Sequence, residues 1–116
     1  MNPQPGIRFT GLRAWWVQRV SAVGMLLFVF FLLYSFRVHP PQTHSQWREW
    51  VAQPAISLAF GLFFAALLAH MWVGIRDVLL DYARPASIRS ACLALVAVGL
   101  LILAIWLLRV LLHLQA

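Results

Sequence analysis

The residues of this chain best suited to chemistry fall in one run, His70-Met71-Trp72-Val73-Gly74-Ile75-Arg76-Asp77-Val78-Leu79-Leu80-Asp81-Tyr82. His70 lies within Trp50–Ile75, a stretch of 26 residues that contains no Asp, Glu, Lys or Arg. An imidazole at that depth in hydrocarbon is costly, and it survives where it binds something or lines a polar cavity. If one helix carries the run, Asp77 and Asp81 follow seven and eleven residues after His70. At about 100° per residue both come close to its azimuth. One helix face then offers an imidazole at membrane depth and carboxylates toward an interface, which is a polar path into an apolar slab.

Each of these groups has a plain and a chemical reading. His70 either hydrogen-bonds across a helix interface or presents a neutral imidazole to a metal, with haem iron the obvious candidate in a helical bundle. A second ligand at that depth would have to come from another polypeptide, because His39 and His44 lie in a loop and His113 near the C-terminus. Gly74, one turn on, leaves room for a flat cofactor or for a neighbouring helix. Tyr82 is either an interfacial aromatic beside a solvated Asp81 paired with Arg84, or a phenol that donates to a bound carbonyl while Asp81 passes protons from water. Asp77 could join that relay or pair with Arg76. Arg19 either snorkels to the interface or meets an anionic group such as a cofactor carboxylate, and Ser21 could donate a hydrogen bond at a helix contact.

The elements that must position these groups are membrane helices. The chain has 116 residues, 63% of them hydrophobic and only 10% charged, far more apolar than a soluble domain. Its mean hydropathy is +0.83. Besides Trp50–Ile75, Val20–Phe36 (17 residues) and Ser90–Leu108 (19 residues) lack charges. All three approach the roughly 17–25 residues that cross a bilayer as a helix. The first run is too long, and too far from a small-residue cleavage site, to read as a signal peptide. The prediction is an all-α membrane protein of one domain, 1–116, an up-down-up bundle of three transmembrane helices at about 15–37, 54–82 and 88–112. Pro40-Pro41 stops the first helix, Gln46–Val51 forms a short interfacial helix with Trp47 and Trp50, and Arg84-Pro85 ends the second span. Residues 1–12, with two prolines and two glycines, read as a loosely ordered lead-in. Trp15 and Trp16 read as interfacial aromatics.

The net charge of +6 comes from arginine alone. These charges sit at helix ends with no basic run, which argues against nucleic acid. Arg8, Arg13, Arg19, Arg76, Arg84 and Arg89 lie on one side of the predicted bundle, against Arg37, Arg48 and Arg109 on the other. The positive-inside rule therefore places the N-terminus in the cytoplasm and the C-terminus outside. The single cysteine, Cys92, excludes an internal disulfide and reads as a packing residue.

Taken in order, His70-x3-Gly74-x6-Asp81-Tyr82 followed by Arg84-Pro85 resembles the smaller hydrophobic membrane anchor of bacterial succinate dehydrogenase, respiratory complex II, of the haem-containing type. Arg19, Ser21, Trp47, three spans and the chain length support the likeness; only the His70–Pro85 block is specific. The resemblance implies that His70 is one axial ligand of haem b, with a second membrane anchor supplying the other. It also implies that Tyr82 hydrogen-bonds ubiquinone, that Asp81 assists proton delivery, and that Arg19 neighbours a haem propionate, with Arg13 a second propionate or headgroup contact. Asp77 departs from the uncharged polar residue expected at its position. The implied partners are the second anchor, an iron–sulfur subunit and a flavoprotein subunit, in the bacterial inner membrane with a periplasmic C-terminus. Alone, the chain would not be catalytic. Two alternatives are the anchor of a quinol:fumarate reductase and a haem-free structural or assembly membrane protein. A transporter is disfavoured, because the spans show neither an internal repeat nor a break at the midplane.

Overall fold

The computed structural model describes the backbone of residues 5–115 and the side chains of residues 11–115. Among them, four helices and no strand occur: α1 (Pro5–Val38), α2 (His44–Ala52), α3 (Pro54–Tyr82) and α4 (Ala86–Gln115). Helices α3 and α4, together with α1 from Gly11 onward, are long and apolar enough to cross a membrane. The protein is a multi-pass helical membrane protein. At 1.5 Å per residue, the 29 residues of α3 reach about 43 Å, more than the roughly 30 Å of hydrocarbon, so its ends emerge into the interfaces.

Local sequence explains the boundaries. Thr43 caps α2, its hydroxyl accepting from the Gln46 N–H at 3.2 Å, while the Gln46 side chain accepts from the Gln42 N–H at 2.7 Å. Pro54 sits at the first position of α3, where its missing N–H costs nothing. At the other end the Ala83 N–H closes on Leu79 O at 3.0 Å, and Arg84-Pro85 stops the helix. The expected short interfacial helix is α2, and the expected second span has the bounds of α3. The first span differs: α1 starts at Pro5, not at about residue 15. Pro5 is tolerated in a first turn, and Gly11 costs an otherwise continuous helix only about 1 kcal/mol. Of the predicted loose lead-in, residues 5–12 are therefore helical, and residues 1–4 lie outside the described residues, as does the Arg8 side chain.

Helix α3 is the centre of the bundle. It packs against α1, α2 and α4, α2 also touches α4, and α1 and α4 do not meet among the described residues. The face that α1 turns to α3 repeats every seven residues. Ala14, Ser21, Phe28 and Ser35, with Gln18, Met25 and Leu32 between them and Ala22 and Phe36 beside them, are its shielded positions. This is the spacing of helices packed nearly parallel. An aromatic ladder ties the end near α2: Phe28 stacks on Phe63 at 4.6 Å, Phe60 bridges to Trp50 at 5.8 Å, and Phe36 meets Trp47 at 5.2 Å.

The bundle buries little. Phe28 and Val73 are its only buried apolar side chains among the described residues, and none of the α4 span window is buried. In lipid, helices associate through packing and interhelical hydrogen bonds, without the hydrophobic drive of water. The two buried polar residues, Ser21 and Ser57, accordingly sit at helix junctions. The Ser57 hydroxyl donates to Val51 O and accepts from Gln115 Nε2 at 2.8 Å, and Gln115 Nε2 also reaches Ala52 O at 2.7 Å. This clamps the end of α4 to the α2–α3 joint. Ser57→Ala is expected to destabilise the fold by about 1 kcal/mol, two membrane hydrogen bonds at roughly 0.6 kcal/mol each. Denaturation of the purified protein by increasing sodium dodecyl sulfate measures this, and an unshifted midpoint would show the clamp to be energetically idle.

Candidate functional site

His70 projects from the middle of α3 toward α1. Its Nδ1 lies 3.1 Å from Ser21 Oγ, and Ser21 Oγ also donates to the Gln18 carbonyl at 3.1 Å. A serine hydroxyl has one proton. With that proton on the Gln18 carbonyl, Nδ1–H must be the donor to Ser21 Oγ. Nε2 is then left as a lone pair free to bind a metal, the tautomer that a second partner of this kind ordinarily fixes. Gly74, one turn below, faces α1: a Cβ there would stand 3.5 Å from Gln18 Nε2, an ordinary contact.

Beside this imidazole, α1 and α3 enclose a cavity of about 430 Å³ lined by Trp15, Gln18, Arg19, His70, Arg76 and Asp77 among others. On the other side of Gln18 and His70 a second, apolar groove of about 340 Å³ passes Gly74 and Val78. The polar cavity carries two arginines and one aspartate. The Arg19 guanidinium lies over the Trp15 ring, 5.5 Å from its centroid, and Arg76 Nη2 is 3.2 Å from Asp77 Oδ1. Two fully buried atoms of its lining residues lack hydrogen-bond partners, Gln18 Oε1 and Arg76 Nε. An unpaired buried polar atom costs about 1–3 kcal/mol, more when it belongs to a charged group. A partly exposed ion pair such as Arg76–Asp77 returns at most about 1 kcal/mol.

The structure brings His70, Arg19 and Asp77 to one cavity and leaves the remaining predicted residues apart from it. Asp81 and Tyr82 are exposed in the last turn of α3, toward the same end of the bundle, and Arg13 is exposed on α1. Asp81 forms no ion pair with Arg84; among the described residues the one salt bridge is Arg76–Asp77. Gln18 and Arg76 were not singled out from the sequence as site residues. The sign for Gln18 was its position three residues before Ser21 on the inward stripe of α1. His44 and His113 border a larger, open cavity of about 980 Å³ beside Arg48 and Arg109, near the C-terminal end of α4. They stand well away from His70.

Among the described residues no group of three or more His, Cys, Asp or Glu could hold a metal ion. A haem needs less from one chain, since its macrocycle supplies four nitrogens and the protein only axial ligands. One imidazole with a free Nε2 and two arginines lining the same cavity suit a flat, carboxylate-bearing group of that kind.

Three membrane-length helices, two of them holding an imidazole between them through a serine, define a small helical membrane protein. Residues 6–109 match the succinate dehydrogenase/fumarate reductase transmembrane subunit family, and the chain belongs to it. It is similar to the succinate dehydrogenase hydrophobic membrane anchor subunit of Coxiella burnetii (strain RSA 493 / Nine Mile phase I), 27% identical over 96 residues that cover 83% of this chain and 84% of that one. Within the family it is an anchor of the smaller, bacterial type.

Proposed function

We propose that this chain is the smaller anchor of a succinate:quinone oxidoreductase, giving one axial ligand to a haem b through His70 and part of a ubiquinone-reducing site through Tyr82 and Asp81. The observation that carries this reading is the Ser21–His70 hydrogen bond, which fixes an imidazole at membrane depth with Nε2 free beside a cavity of arginines. The name of the Coxiella relative favours succinate oxidation over the fumarate-reducing direction, which the family also covers. A second membrane anchor would provide the other axial ligand, and iron–sulfur and flavoprotein subunits would dock on the Tyr82 end. The six arginines on that side put it, with the N-terminus, in the cytoplasm and the C-terminus in the periplasm of a bacterial inner membrane.

The residues divide the work. His70 Nε2 would hold the haem iron, and Arg19, with Arg13 further along α1, would meet its carboxylates. When bound, the haem supplies a one-electron store within the bundle. Tyr82 and Asp81 stand about 16–18 Å along α3 from His70, at the interface, where water is at hand. Reduction of ubiquinone to ubiquinol takes two electrons and two protons. The Tyr82 hydroxyl donates to a quinone carbonyl and holds it in place. Asp81, exposed to water, carries protons toward that oxygen. The electrons come from the docked iron–sulfur subunit.

The complex purified in detergent through this subunit tests the proposal: it should contain three further chains and show a b-type haem in its reduced-minus-oxidised spectrum. A stably assembled complex without haem would reassign His70 to helix packing and the chain to a haem-free anchor or assembly role. Ser21→Ala removes the hydrogen bond that fixes His70, and should weaken haem retention about 10–100-fold while leaving some haem bound. Titrating the apo-complex with haem checks this.

A further inference from the structure

The Arg76–Asp77 pair has an arrangement that a surface ion pair does not explain. Neighbouring residues on a helix point about 100° apart and do not face one another. Arg76 nevertheless meets Asp77, 3.2 Å from Nη2 to Oδ1, and both residues line the cavity shared with His70 and Arg19. The fold buries Arg76 Nε without a partner although the side chain as a whole remains 31% exposed. Asp77 is 53% exposed and takes one guanidinium nitrogen, so both charges stand at the cavity wall.

We infer that Arg76 and Asp77 form an opposed charge pair that sets the midpoint potential of the haem held at His70. This rests on the proposed ligation by His70. A positive charge beside a haem in a medium of low dielectric favours the state with the added electron, and a negative charge disfavours it. Arg76 raises the potential, and Asp77 offsets part of that rise. The pair acts on the haem through space, as tuning residues that do not touch the iron.

Redox potentiometry of the purified complex, followed at the haem absorbance, tests the inference without reference to turnover. Arg76→Gln should move the midpoint to a lower potential and Asp77→Asn to a higher one, and the double variant should return toward the wild type. Arg76→Lys, which keeps the charge, should stay nearer the wild type than Arg76→Gln. A purely structural pair would give shifts of one sign or none, so unchanged midpoints in both single variants, or shifts in the same direction, would overturn the inference. If Arg76→Gln fails to assemble, Asp77→Asn alone decides by the sign of its shift. Wild-type complex lacking haem would overturn the reading beneath it, an outcome distinct from haem with an unmoved potential.

Discussion

His70→Ala is expected to abolish the b-type haem signal of the purified complex, leaving the difference spectrum flat or shifted to that of a weakly held haem. No other imidazole of the chain can substitute. His44 and His113 border a cavity near the C-terminal end of α4, and His39 lies in the loop between α1 and α2. Loss of one axial ligand from a six-coordinate haem changes its spin state and its absorbance even where some haem stays bound, so the spectrum reports ligation directly. The substitution also leaves the Ser21 hydroxyl with its bond to the Gln18 carbonyl, so α1 and α3 keep their local contact apart from one interhelical hydrogen bond, worth about 0.6 kcal/mol in a membrane. Assembly should therefore persist, which a count of co-purifying chains checks. An unaltered haem spectrum in His70→Ala would remove His70 from the ligand set.

The fold was largely written in the sequence, because membrane helices are specified by length and apolarity. The 26 uncharged residues of Trp50–Ile75 and the prolines at 54 and 85 gave α3 its bounds. The start of α1 was not legible. Composition around Pro3, Pro5 and Gly11 reads as a loop, whereas a proline in a first turn and one interior glycine are tolerated by a helix whose remaining turns pack on α3.

Of the candidate cavity, the sequence marked some residues and not others. His70 stood out because an imidazole in hydrocarbon is expensive, and Asp77 because its azimuth follows that of His70. What bonds to His70 depends on the register between α1 and α3, and one chain's pattern does not fix it. Ser21 was visible as a small polar residue at a helix contact, but its pairing with Nδ1 appears only once the helices are packed. Gln18 and Arg76 were hidden for a related reason: an amide and a guanidinium near an interface read as solvated until their burial leaves Oε1 and Nε without partners. Asp81 and Tyr82 remain exposed in the isolated chain, since the surfaces proposed to enclose them belong to other subunits.

That exposure makes Tyr82→Phe the cleanest test of the quinone reading. The Tyr82 side chain is 82% exposed, so removing its hydroxyl cannot disturb the packing of the anchor. The change deletes one hydrogen-bond donor and keeps the ring. If that hydroxyl holds a quinone carbonyl while the proton is delivered, succinate–ubiquinone reductase activity should fall by about 10²-fold or more, the lower range for losing one positioned proton-handling group. Reduction of a soluble dye by succinate should persist, because the docked flavoprotein and iron–sulfur subunits are untouched, and the haem spectrum should be that of the wild type. Asp81→Asn should show the same separation of the two assays with a smaller loss, since water can partly replace an exposed carboxylate as a proton carrier. Full ubiquinone reductase activity in well-assembled Tyr82→Phe complex would sink the role given to the hydroxyl. Equal loss in both assays would mean that Tyr82 holds the iron–sulfur subunit in place and does not bind the quinone.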